Sequence, residues 1–167
     1  MNEKKIFESF QRLKGLQSSS NGVDMELAKE LSYLKEKDKD GFSRYKVIMG
    51  YTEATWKAFV AQPELHISYD KAQRLVLLYN TYIKTYGFKA EEIIGIDSNS
   101  LCYVARRGIL TKINVGEWVE KAKKLSRSDF QREVRFGNVD ELECEHEEKV
   151  KTTFTCSKCG RKRTEKK

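Results

Sequence analysis

Residues 144–160 read CEHEEKVKTTFTCSKCG, and no other stretch of the chain restricts its folding as tightly. Cys144 and His146 form a Cys-x-His pair; Cys156 and Cys159 form a Cys-x-x-Cys pair with nine residues in between. Three thiolates and an imidazole at such spacing suit tetrahedral Zn2+, whose closed structural sites combine Cys and His in this way. All four positions are filled by protein donors. A water therefore has no open place, and the expected Zn2+ is structural rather than catalytic. Gly160, directly after the second pair, fits a tight turn in which backbone N–H groups approach the thiolates. Val150, Thr152 and Phe154 alternate with polar residues, which predicts a short strand between the two pairs.

Over the last two dozen residues this arrangement resembles a zinc ribbon, which implies a small β-hairpin. Glu148 follows His146 with one residue between, as in the His-x-Glu of zinc deaminases. Those enzymes also carry a proline before the cysteine pair and space the two elements far apart on an α/β core. Neither condition is met here. No phosphate-cradling glycine loop or nucleophile elbow occurs elsewhere, so no enzyme is expected.

The charge balance bears on partners. The net charge is +7 over 167 residues, and it concentrates at the C-terminal end. Residues 144–167 hold eight Lys/Arg against four Asp/Glu and finish RKRTEKK. Arg161, Lys162 and Arg163 in that tail are candidate contacts to a phosphate backbone, which a cationic segment attracts without reading sequence. A solubilising tail is the competing reading. No apolar run approaches the roughly 18 residues of a membrane span, and the first residues lack the apolar segment of a signal peptide. Three of the four cysteines sit in the metal motif and Cys102 is alone, a usage that suits a reducing cytoplasm.

Upstream, the periodicity is helical. Ile6, Phe10 and Leu13 define an amphipathic helix over 3–16, followed by the flexible break SSSNG at 18–22. Asp24 caps a second helix striped by Leu27, Leu31 and Leu34. The charged connector KEKDKDG at 35–41 marks a soft boundary. The N-terminal pair either docks a partner (another protein or a second copy) or packs on the next domain. Residues 42–137 read as all-α. Gly50 ends a short helix after Tyr45, Val47 and Ile48; Thr52 can cap the next, which carries Trp56, Phe59 and Val60. Pro63 limits how far that helix runs. A long helix then continues to about Tyr86, with Ala72, Leu75, Val76, Tyr79 and Ile83 on one face and Gly87 as its C-cap.

Leu65, His66, Ile67, Ser68, Ala72 and Leu75 fall where a helix-turn-helix places its closing apolar residue, turn, buried aliphatic, cap and inward small residue. The segment resembles that motif, with His66 where glycine is usual and Pro63 inside the normal first helix. The resemblance implies that Ser68, Tyr69, Gln73 and Arg74 enter the major groove and that Lys71 meets phosphate. Arg74 would pair with guanine and Gln73 with adenine. An unrelated helical hairpin is the alternative.

Beyond Gly87 the sequence predicts a helical segment over 89–96 and a helix capped by DSNS that carries Leu101, Val104 and Ala105. An Asn114-x-x-Glu117 capping box opens the next helix, with Val115, Trp118, Val119, Ala122 and Leu125 inward. Ser126-x-x-Asp129 starts a last helix bearing Phe130 and Val134. The run IGIDSNSLCYVARRGI followed by EWVEKAKKLSRSDFQREV resembles the helical segment after the helix-turn-helix in phage and plasmid DNA-binding proteins, ParB-like domains being the nearest broad group. Arg106-Arg107 and Lys121, Lys123, Lys124 and Arg127 are candidate phosphate contacts or ordinary solvated faces. His66 reads as a turn residue rather than a base, and Cys102 as a small buried apolar residue.

The expectation is a mainly α protein in three parts: N-terminal helices at 1–41, a helix-turn-helix domain at 42–137, and a zinc-ribbon hairpin with basic tail at 138–167. It would bind DNA in the cytoplasm as a regulator or accessory factor of a mobile element. The other reading is an adaptor that docks a larger nucleic-acid machine.

Overall fold

The structure, a computed structural model, describes residues 3–16, 24–50, 53–136, 151–155 and 162–166. It divides into two compact units, Met1–Gly137 and Asn138–Lys167. The first is mainly helical. Its order is α1 (Glu3–Gly15), α2 (Met25–Lys35), α3 (Tyr45–Ile48), α4 (Trp56–Val60), a 3-10 turn (Pro63–Leu65), α5 (Tyr69–Leu78), a π-helical segment (Tyr79–Thr85), α6 (Ala90–Ile93), α7 (Ser98–Arg107), α8 (Val115–Lys124) and α9 (Arg127–Phe136). None of the described helices is long and apolar enough to cross a membrane.

Helix α5 is the hub. Ala72, Leu75, Val76 and Leu78 are buried along it, and it packs against both α2 and α7. The stripes read from the sequence supply the surrounding core: Ile6 and Leu13 from α1, Leu27, Leu31 and Leu34 from α2, Leu101 and Val104 from α7, Phe130 from α9. Removing such side chains from water is the main source of the unit's cohesion. The connector at 35–41 runs between elements of this one packed unit, because α1 and α2 share its core. Tyr45, Trp56 and Phe59 form a mutually packed aromatic group, with ring centroids 5.3 to 5.5 Å apart.

Caps explain most helix starts. Asp24 Oδ1 accepts from Leu27 N at 3.0 Å, and Asp97 accepts from Asn99 N and Ser100 N. Ser126 Oγ accepts from Asp129 N at 3.2 Å. Each satisfies a backbone donor that the helix itself leaves open. Three expectations change. The cap of α4 is Thr55, whose hydroxyl accepts from Ala58 N at 3.2 Å; Thr52 lies outside the described residues. No capping box forms at Asn114, because its carboxamide turns back to accept from Thr111 N and donate to Ile109 O. Leu125 is the C-cap of α8 and stays exposed, since the chain leaves the helix there.

The long helix also departs from regular α geometry. From Tyr79 the turns widen into a π-segment, with Tyr86 N bonding Thr81 O at 3.1 Å. Tyr82 continues the buried row of Leu75 and Leu78 and is fully inside, while Tyr79 and Ile83 only flank the core. The buried Tyr82 hydroxyl donates to Leu101 O at 3.0 Å. Gly87, at φ +75°, sits in the left-handed region where glycine pays no steric cost.

In the second unit, β1 (Lys151–Thr155) pairs antiparallel with β2 (Lys162–Lys166), Thr153 opposite Thr164.

Candidate nucleic-acid interface

The α4–α5 connection carries the sequence motif. After α4 the chain makes its 3-10 turn with Pro63 at the start, where a missing N–H costs nothing. His66 then adopts φ 46°, ψ 32°. It is the one non-glycine residue with positive φ among the described residues, at the position where the motif commonly uses glycine. Ser68 caps α5, its hydroxyl accepting from Lys71 N at 3.3 Å. Leu65, Ala72 and Leu75 are buried and Ile67 packs beside them.

The residues expected to meet DNA are not equivalent. Ser68 and Asp70 are exposed and Tyr69 is 37% exposed, so the first turn of α5 is open to solvent. Lys71, Gln73 and Arg74 are half-buried. Gln73 is held from both ends: its Oε1 accepts from Lys35 Nζ of α2, and its Nε2 donates to the Tyr69 hydroxyl at 2.6 Å. Lys35 also lies over the Trp56 ring, 5.4 Å from its centroid. Burial lowers the Lys35 ammonium below its ordinary range.

Arg74 turns toward α7. Its Nη1 donates to Asn99 Oδ1 at 2.8 Å, and Asn99 Nδ2 in turn donates to Asp97 Oδ1 at 3.2 Å. Burial pushes the Asp97 carboxyl up, yet bonds from Ser100 and Asn99 outweigh it and hold the group below the usual range. Arg74 Nε is buried with no hydrogen-bond partner among the described residues. Gln73 and Arg74 line a cleft of about 400 Å³ together with Asn99 and Arg106 of α7 and Arg127 and Gln131 of α9. Cys102 lies at the same cleft and is buried. Burial raises its thiol to about 11, although Arg106 and Arg74 pull it down.

Beside the cleft, the Tyr103 hydroxyl accepts from Arg107 Nη2 at 2.8 Å and Arg135 Nε at 3.0 Å. Arg135 chiefly, then Arg107, hold this phenol below its ordinary range. Other sequence candidates are already paired: Lys121 with Glu117 and Glu133, and Lys123 with Glu120. Sequence reasoning missed Lys35, Asn99, Tyr103 and Arg135. The i, i+4 spacing of Asn99, Tyr103 and Arg107 shows one polar face on α7, but nothing local says that α5 and α9 adjoin it.

The predicted metal ligands Cys144, His146, Cys156 and Cys159 lie outside the described residues, as does Arg161. Lys162 and Arg163 lie on β2, opposite Thr155 and Phe154. No family model, curated protein or solved structure matches the chain, so the reading of this surface rests on its own residues.

Proposed function

We propose that the chain is a double-stranded DNA-binding protein that docks the start of α5 in the major groove. The observation that carries this reading is the α4–α5 connection: a left-handed residue at His66, a serine-capped helix behind it, and a solvent-open first turn at Tyr69. A helix presented by its N-terminal turn can reach base edges while its neighbours meet the backbone. Tyr69 and Gln73, already bonded to each other, form a pre-arranged pair for base contact, and Gln73 suits adenine. Arg74 belongs to the cleft wall rather than to the groove-facing set.

The second unit fits the same role. Three thiols and an imidazole at Cys144, His146, Cys156 and Cys159 are a donor set for Zn2+. Bound there, the ion would fasten a ribbon around the β1–β2 ladder. Arg161, Lys162 and Arg163 would add backbone contacts. No chemistry on DNA is proposed; regulation or replication control of a mobile element would follow from occupancy of a site.

Selection of bound duplexes from a random pool, followed by anisotropy titration at two salt concentrations, tests the reading. Binding should weaken steeply with salt. Gln73→Ala should cost about 1–3 kcal/mol and relax preference at one base position. A pool that yields no enriched sequence, or one whose preference ignores Gln73→Ala, contradicts groove reading by α5.

One observation favours an adaptor instead. Gln73 and Arg74 have partners within the protein, Lys35, Tyr69 and Asn99, as residues of a closed structural surface would. In that case the chain docks a larger nucleic-acid machine, and duplex binding is absent at low salt.

A further inference from the structure

Three helices that are distant in sequence bring three arginines to one cleft: Arg74 from α5, Arg106 from α7 and Arg127 from α9. None of the three forms an ion pair with a carboxylate among the described residues. A single acidic side chain, Asp70, lines the same space. Like charges gathered at one hollow repel one another, and an anion relieves that repulsion. Arg74 adds an unusual feature. It is fixed by Asn99, yet its Nε is buried and unpartnered, although buried donors are nearly always satisfied. Arg106 and Arg127, by contrast, are exposed, so their forks can close on an incoming group.

We propose that this cleft is a seat for a phosphate group. Planar guanidinium forks match phosphate oxygens bidentately. Arg106 and Arg127 supply that contact at the rim, Arg74 supplies fixed positive charge behind them, and the amide of Gln131 offers a neutral donor. At about 400 Å³ the space exceeds a bare phosphate and admits the attached sugar. The proposal deepens the duplex reading, since the cleft opens where Gln73 leaves the exposed turn of α5. It rests on that reading for the source of the phosphate, and not for the chemistry of the seat.

The test uses the full chain and the arginine Nε–H signals in a nitrogen–proton correlation spectrum. Inorganic phosphate is titrated first, then a dinucleotide with and without a 5′-phosphate, then a duplex. With inorganic phosphate and the dinucleotides, the Arg74, Arg106 and Arg127 signals should shift saturably while other arginines stay still; with duplex, Arg161 and Arg163 of the tail should shift as well. Arg106→Gln and Arg127→Gln should each weaken the phosphate response about tenfold; Lys112→Gln, on the exposed loop before α8, should leave it unchanged. Both arginines are exposed, so these variants keep the fold. Response to phosphate without any duplex binding supports the seat and removes the α5 reading. Response to duplex but not to inorganic phosphate supports a seat for backbone phosphodiesters. No shift with any of the probes, or equal shifts at all arginines, overturns the proposal.

Discussion

The hollows of the helical unit that are lined by charge include two that differ in how that charge is matched. The larger, about 690 Å³, lies between α1, α2 and the π-segment. Its charged groups are largely satisfied within the protein. Glu30 accepts from the buried Ser9 hydroxyl and from Arg12 Nε at 2.9 Å, and Glu36 pairs with Arg44 and Lys84. The smaller, between α5, α7 and α9, holds three arginines that form no ion pair with a carboxylate among the described residues. The first is a fastening and the second is a surface awaiting an anion. Density of charge is therefore a poor mark of a site; imbalance of charge is a better one.

That contrast can be broken from either side. The largest change in stability is expected for Glu30→Ala, which strands the buried Ser9 hydroxyl. Urea unfolding should show a loss of about 2 kcal/mol, with the surface-exposed Arg12 adding little. A loss near zero would mean the larger hollow is not held by its polar contacts. Next comes pH. Cys102 has its thiol raised from 9.0 to about 11, so the folded state keeps a proton that the unfolded state releases. Its contribution is complete below pH 9 and disappears as pH climbs to 11. Stability should fall by roughly 1–2 kcal/mol across that window. Cys102→Ala should flatten this part of the profile, and Arg106→Gln should extend its upper end to higher pH, because Arg106 now pulls the folded thiol down.

Tyr82→Phe follows at about 1 kcal/mol, the usual worth of one buried hydrogen bond, and a thermal melt detects it. His66→Gly should stabilise by about 0.5 kcal/mol, the relief of a left-handed side chain partly offset by glycine's greater freedom when unfolded. The smallest effect belongs to the second hollow. Arg106→Gln and Arg127→Gln should stay within about 0.5 kcal/mol of the parent, since both are exposed and neither has an ion pair among the described residues. A larger loss in either would make that hollow a fastening too.

Much of the fold is legible from local pattern. The 3.6-residue stripes of α1, α2 and α7 and the carboxylate caps Asp24 and Asp97 follow from rules that act within one turn. Misreadings arose where two local choices compete. Thr52 and Thr55 both offer a hydroxyl, and α4 starts directly after Thr55, which caps it. Asn114 could cap its own helix, but Thr111 captures its carboxamide. Tyr82 falls on the same 3.6-residue row as the buried Leu75 and Leu78, so its place was legible; the π-segment around it is not, since a period of 3.6 does not signal it. For the site, His66, Ser68 and Tyr69 fall within four consecutive residues and could be read as one unit. The convergence of Arg74, Arg106 and Arg127 depends on how α7 packs against α5 and α9, and no local rule carries that information.

The central claim is that the helical unit grips a duplex through the start of α5 and the arginine cleft beside it. The most direct measurement is the salt dependence of duplex affinity for the full chain and for the Arg106→Gln/Arg127→Gln double variant. Removing two phosphate contacts should make the slope of log affinity against log salt shallower by about 2. An unchanged slope, or a parent protein that binds no duplex at low salt, would contradict the account.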